Sequence, residues 1–85
     1  MNQREFDRVI NKFGMQVKQT HHVLAWLVHD GKIVVRTRRS QGGKDPPAEL
    51  VRKQLHLDQR QLADAVECTL GLDAYLGILR EKGIL

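Results

Sequence analysis

The sequence predicts an α+β domain, with three antiparallel strands in one sheet, helices on one face of that sheet, and a helical extension at the C-terminus. Three observations lead there. The Asp30-Gly31 pair, flanked by "HHVLAWLVH" and "KIVVRTR", has the signature of a two-residue hairpin. Apolar residues recur at helical spacing before the hairpin (Phe6, Val9, Ile10, Phe13) and well after it (Leu72, Tyr75, Leu76, Leu79). A chain of 85 residues suffices for a single small core.

Each element has its own local reason. Residues 3–13 form a first helix that Gly14 stops. Met15 to Lys18 alternates apolar and polar residues, as a strand does. "HHVLAWLVH" is apolar on both faces, which suits the middle strand of a sheet, and "KIVVRTR" returns beside it. "RSQGGKD" is a loop. Asp45 is expected to cap a helix that begins with Pro46 and Pro47 and runs to about Leu57. Asp58 can cap a second short helix, "QRQLADAVEC", and "LDAYLGILREK" forms the last one, ended by Gly83. The expectation is one domain over 1–85, with a core at about 3–66 and the extension at about 67–85.

The charge is placed unevenly. The net charge is +4, yet residues 16–53 hold eight Lys and Arg against three acids, while residues 54–85 hold three against five. A basic block of this kind suits a polyanionic partner, and a solvated strand face is the plainer reading. No apolar run approaches the ~18 residues of a membrane helix, and the charged start "MNQREFDRVI" is unlike a secretory signal. With Cys68 as the lone cysteine no disulfide is expected, and the chain reads as cytoplasmic and not membrane-bound.

The hairpin assigns faces. If Asp30-Gly31 is a type I′ turn, His29 pairs with Lys32, and an unbroken ladder puts Leu24, Trp26, Val28, Ile33, Val35 and Thr37 on one face with His22. That face, the more hydrophobic, is expected to receive the helices. The other would carry Val23, Ala25, Leu27 and Val34 with Lys32, Arg36, Arg38, His21 and His29. His22 is then a packing residue and His21 the candidate for chemistry. Imidazole exchanges a proton near neutral pH, and neighbouring cations can hold a phosphate and the charge that develops on it. These are the parts of a metal-independent ribonuclease, although most exposed histidines on basic sheets catalyse nothing.

The order of elements and the strand opening Lys18-Gln19-Thr20-His21-His22 resemble the HicA toxin family, with "ELVRKQLHLDQRQLADAV" at 49–66 as its closing helical segment. The resemblance covers about residues 3–66. It implies a fold like that of double-stranded-RNA-binding domains and an endoribonuclease that cleaves messenger RNA. It further implies a HicB-like antitoxin as protein partner and His21 as the catalytic acid or base. Gln19-Thr20 stand where the family has a small Gly-Ser pair, and Ser40-Gln41-Gly42 where many relatives carry a further histidine.

The RNA contacts expected on this reading are Lys18, Lys32, Arg36, Arg38, Arg39 and Lys44, with Arg52 and Lys53 as weaker candidates on the wet side of a helix. No cofactor and no metal are expected, because His21 and His22 would point to opposite faces and no acidic or cysteine cluster completes a ligand set. Cys68 reads as a small core residue. "SQGGK" lacks the spacing of a nucleotide-binding loop. The stripe Leu72, Tyr75, Leu76, Leu79 reads as core, with an antitoxin or homodimer interface as the other reading. Two further functions stay open: an RNA-binding module that does not cut, and an interaction protein whose basic sheet docks an acidic partner.

Overall fold

Helix α1, Gln3–Lys12, is held at both ends by its own sequence. The Asn2 side chain accepts from the Glu5 N–H and the Glu5 carboxylate accepts from the Asn2 N–H, each at 2.8 Å, which closes a capping box. At the other end Gly14, at φ 63°, lets its own N–H reach the Asn11 carbonyl and the Met15 N–H reach the Ile10 carbonyl. This terminator needs a left-handed residue, so the helix stops at the expected glycine. The computed structural model describes residues 1–42, 44–67 and 69–85; the expectation for Cys68 lies outside the described residues.

The chain then forms an antiparallel sheet in the order β1-β2-β3, with β1 at Gln16–Gln19, β2 at His22–His29 and β3 at Lys32–Ser40. Asp30 and Gly31 have φ of 51° and 76°, the left-handed pair that a type I′ turn requires, and His29 pairs with Lys32 as expected. Three helices follow: α2 at Ala48–Gln54, α3 at Gln59–Val66 and α4 at Leu72–Glu81.

Helix α2 corrects one expectation. It begins after Pro47, which occupies the cap position at ψ 108° and offers no side-chain bond, and Asp45 caps nothing. The cause lies in the double proline. A residue before proline is driven out of the helical region, so Pro46 cannot be a first helical residue when Pro47 follows it. The α2–α3 junction is a second left-handed terminator, made without glycine. His56 sits at φ 61° while its N–H and that of Leu57 bond the carbonyls of Lys53 and Arg52. Asp58 then caps α3 in a full capping box with Gln61, as its sequence predicts.

All four helices feed one core with the sheet's inner face. It joins Phe6, Val9, Ile10 and Phe13 to Ala25, Leu27 and Val35, and to Val51, Leu55, Leu62, Ala65, Tyr75 and Leu79. Tyr75 is fully buried, its ring parallel to that of Phe13 with centroids 4.1 Å apart, and its hydroxyl donates to the Leu55 carbonyl at 2.8 Å. The C-terminal helix is thus built into the middle of the core. Thr37, the one buried polar residue among those described, donates to Gln54 Oε1 at 2.8 Å and ties β3 to α2.

Candidate functional site

The register between β2 and β3 decides what the open face of the sheet presents. From the turn, Val28 pairs with Ile33 as an unbroken ladder demands, but Leu27 then pairs with Val35, leaving Val34 as an extra residue. This is a β-bulge in β3, with two residues opposite one. Beyond it every partner is displaced by one position, so Trp26 faces Arg36, Leu24 faces Arg38 and His22 faces Ser40.

The bulge overturns the predicted faces of β2. Val23, Ala25 and Leu27 are buried against the helices, whereas Leu24 and Trp26 are only partly covered. The expectation held for β3 beyond the bulge, where Val35 and Thr37 point inward and Arg36 and Arg38 outward, but Ile33 and its partner Val28, expected inward, are exposed. Both sides of β2 are apolar, so composition does not distinguish them. A cue does exist in Ala25, since the small residue of a central strand fits beneath a packed helix and the indole does not.

The open face therefore gathers Lys18 and Gln16 from β1, His22, Leu24 and Trp26 from β2, and Arg36, Arg38 and Ser40 from β3, by alternation and register. Between Met15 and Ser40 the sequence holds a single acid, Asp30, and that residue is in the β2–β3 turn. The ion pairs among the described residues engage His29, Arg39, Arg52 and Lys53, and leave Lys18, Arg36 and Arg38 to the solvent. A groove of about 430 Å³ runs beside them, lined by Leu24, Trp26, Ile33, Arg36, Arg38 and Gln54.

His21 lies just before β2, exposed, at the apex of the tight β1–β2 hairpin, where the Thr20 N–H bonds the His22 carbonyl at 2.9 Å. The Gln41 side chain donates to the Thr20 carbonyl and fastens this apex to the end of β3. His22 is not the packing residue expected of it. It opens β2 on the exposed face, across from Ser40.

The structure separates the remaining predicted contacts. Arg39 faces the helices, where its guanidinium holds both carboxylate oxygens of Asp7, at 2.9 and 3.0 Å, and lies over the Phe6 ring. Being one residue out of phase with Arg38, it is a strut between β3 and α1 and not a cation presented to solvent. Arg52 bonds Glu49 and the Leu57 carbonyl, and its hydrogen bonds hold the exposed Glu49 carboxyl below its ordinary pKa. Lys32 opens β3, exposed opposite His29 at the far end of β2, about 23 Å from His22 along that strand. Lys44 is exposed in the β3–α2 loop, and its carbonyl, with that of Gly42, accepts from Gln3. Lys18, Arg36 and Arg38 therefore share one face with His22, which Lys32 and Arg39 do not join, while His21, expected on the face of Arg36 and Arg38, sits in the adjoining turn outside the strands.

Among the described residues no three His, Cys, Asp or Glu side chains converge as metal ligands, and no helix is long and apolar enough to cross a membrane. Compared with protein-family models, with curated proteins and with solved structures, the chain finds no match in any of the three.

Proposed function

We propose that the chain is a HicA-like endoribonuclease that cleaves messenger RNA without a metal, the toxin of a toxin-antitoxin pair. The observation that supports this most is the meeting of the exposed histidine hairpin with an acid-free cationic sheet face at the His22–Ser40 end. Arg38 stands two residues from Ser40 along β3, within reach of a phosphate at that end. His21 takes the proton of a ribose 2′-hydroxyl, the oxygen attacks the adjacent phosphorus in line, and the 5′-oxygen leaves and gains a proton. The products are a cyclic phosphate and a 5′-hydroxyl end. Arg36 and Arg38 hold the phosphate and offset its developing charge. A HicB-like antitoxin silences the enzyme by covering this end of the sheet, and the RNA target puts its action in the cytoplasm.

One observation favours the second reading, RNA binding without cleavage. The hydrogen bonds at the hairpin join Thr20, His22 and Gln41 through backbone groups, the Thr20 hydroxyl and the Gln41 amide, and neither imidazole takes part in them to be oriented by a neighbour. Induced expression separates the two. Wild type should arrest growth and deplete messenger RNA, and purified His21→Ala should keep its fold but cleave about 10²–10⁴-fold more slowly. An equally toxic His21→Ala removes the catalytic assignment, and a wild type that binds RNA without cutting it favours the second reading.

A further inference from the structure

We infer that Trp26 is a stacking platform for an unpaired base, so that the open face of the sheet takes single-stranded rather than double-helical RNA. The inference rests on the RNA-binding reading of that face, and it names the form of RNA and a contact residue outside the basic set.

The placement of the aromatic side chains is the first support. Phe6, Phe13 and Tyr75 are all fully buried in the core, while Trp26 alone is left partly exposed on the other side of the sheet. Neither Trp26 nor Leu24 belongs to the core or packs against it, so the indole keeps a face for a ligand. Its position is central: β2 is the middle strand, with Gln16 directly across on β1 and Arg36 directly across on β3. Leu24, next along the same face, extends the apolar floor and lies opposite Arg38.

Charge decides between possible occupants. Arg36 and Arg38 are about 7 Å apart along β3, a spacing like that of successive phosphates in an extended strand. With Lys18 on β1 they set cations on both sides of the indole, and none of the three is engaged by an acid. An apolar groove rimmed by guanidinium groups fits a ligand with alternating flat bases and anionic links. An A-form duplex offers phosphates and ribose hydroxyls but keeps its base faces inside the stack, so it has nothing to place on Trp26.

Trp26 is the sole tryptophan, so its emission reports directly on this face. The test titrates the full-length protein with a 2′-O-methyl oligouridylate of about 12 nucleotides, which lacks the attacking hydroxyl, and with the matched duplex. The single strand should quench and shift the emission saturably, and the duplex should compete poorly. With a labelled oligonucleotide, Trp26→Ala should bind about 5- to 150-fold more weakly and Trp26→Phe should recover most of the loss, while circular dichroism shows both folded at the assay temperature. Equal binding by the duplex, or an unchanged affinity in Trp26→Ala, overturns the inference. So does equal quenching and competition by polyglutamate, which would put an acidic protein on this face. Quenching by the uncleavable strand without cleavage of ordinary RNA would sink the ribonuclease reading alone. Cleavage without quenching, at wild-type affinity in Trp26→Ala, would sink this one alone.

Discussion

Replacing Tyr75 by phenylalanine removes one oxygen atom from the point where α1, α2 and α4 meet. The ring stack on Phe13 survives the change, but the Leu55 carbonyl loses the donor that reaches it at 2.8 Å. Among the described residues no other donor reaches the Leu55 carbonyl, so the substitution leaves it unpaired in the core. A hydrogen bond lost with its partner left in the core costs about 1–3 kcal/mol. In a domain of this size each kcal/mol lowers Tm by about 4–8 °C. The deficit should also depend on pH. Burial pushes the Tyr75 phenol well above its ordinary 10.0, so the folded chain keeps a proton that the unfolded chain releases in alkali. The contribution of the protonated phenol is complete below about pH 10 and is lost at about 1.4 kcal/mol per pH unit above it. The phenylalanine ring of the variant has no such proton to lose. Denaturant titrations at a series of pH values, followed by circular dichroism, should show Tyr75→Phe less stable at neutrality and the two proteins converging in alkali. A gap that stays constant past about pH 10, or a phenolate absorbance that titrates there in the folded protein, would refute the account.

Two other substitutions test the fold and its division of labour. His56 stands at φ 61°, so His56→Gly should stabilise by about 1 kcal/mol in denaturant titration, whereas His56→Val, branched at Cβ, should lose at least as much. Arg39 and Asp7 should show a coupling of about 1 kcal/mol in a double-mutant cycle, the upper end for a half-exposed pair because both carboxylate oxygens are held. Arg39→Ala should therefore lower stability and spare RNA affinity. Arg36→Ala and Arg38→Ala should do the reverse, and each should reduce the salt dependence of binding by about one unit of slope.

Most of the fold was legible because its signals are local. Gly14 ends α1, Asp30-Gly31 makes the predicted turn, and Asp58 caps α3, each through atoms a few residues apart. The misses share a different character. Asp45 looked like a cap until the second proline was weighed, and the helix starts where Pro47 allows. The faces of β2 were inverted because a bulge at Val34 shifts the ladder by one residue, and the cue that Ala25 offers lies on β2 and not at the bulge. That one error also hid Trp26, and turned His22 into a packing residue. Arg39 was grouped with its neighbours by charge alone, when alternation along β3 sends it to the opposite side. His21 was reached from parity, yet it occupies a turn and belongs to neither face, so its exposure does not depend on the register that first singled it out.

The bulge also changes how this gene tolerates damage. Val34 is half-buried and packs against the core, so a polar replacement there should cost stability. Loss of its codon should disturb the sheet less than its place in a strand suggests. With Ile33 opposite Val28 and Val35 opposite Leu27, the shortened strand forms an unbroken ladder on the same pairs. Ala25 and Leu27 then stay under the helices, and Trp26 and Leu24 stay outside. At position 34 a residue can be dropped without turning the strand over.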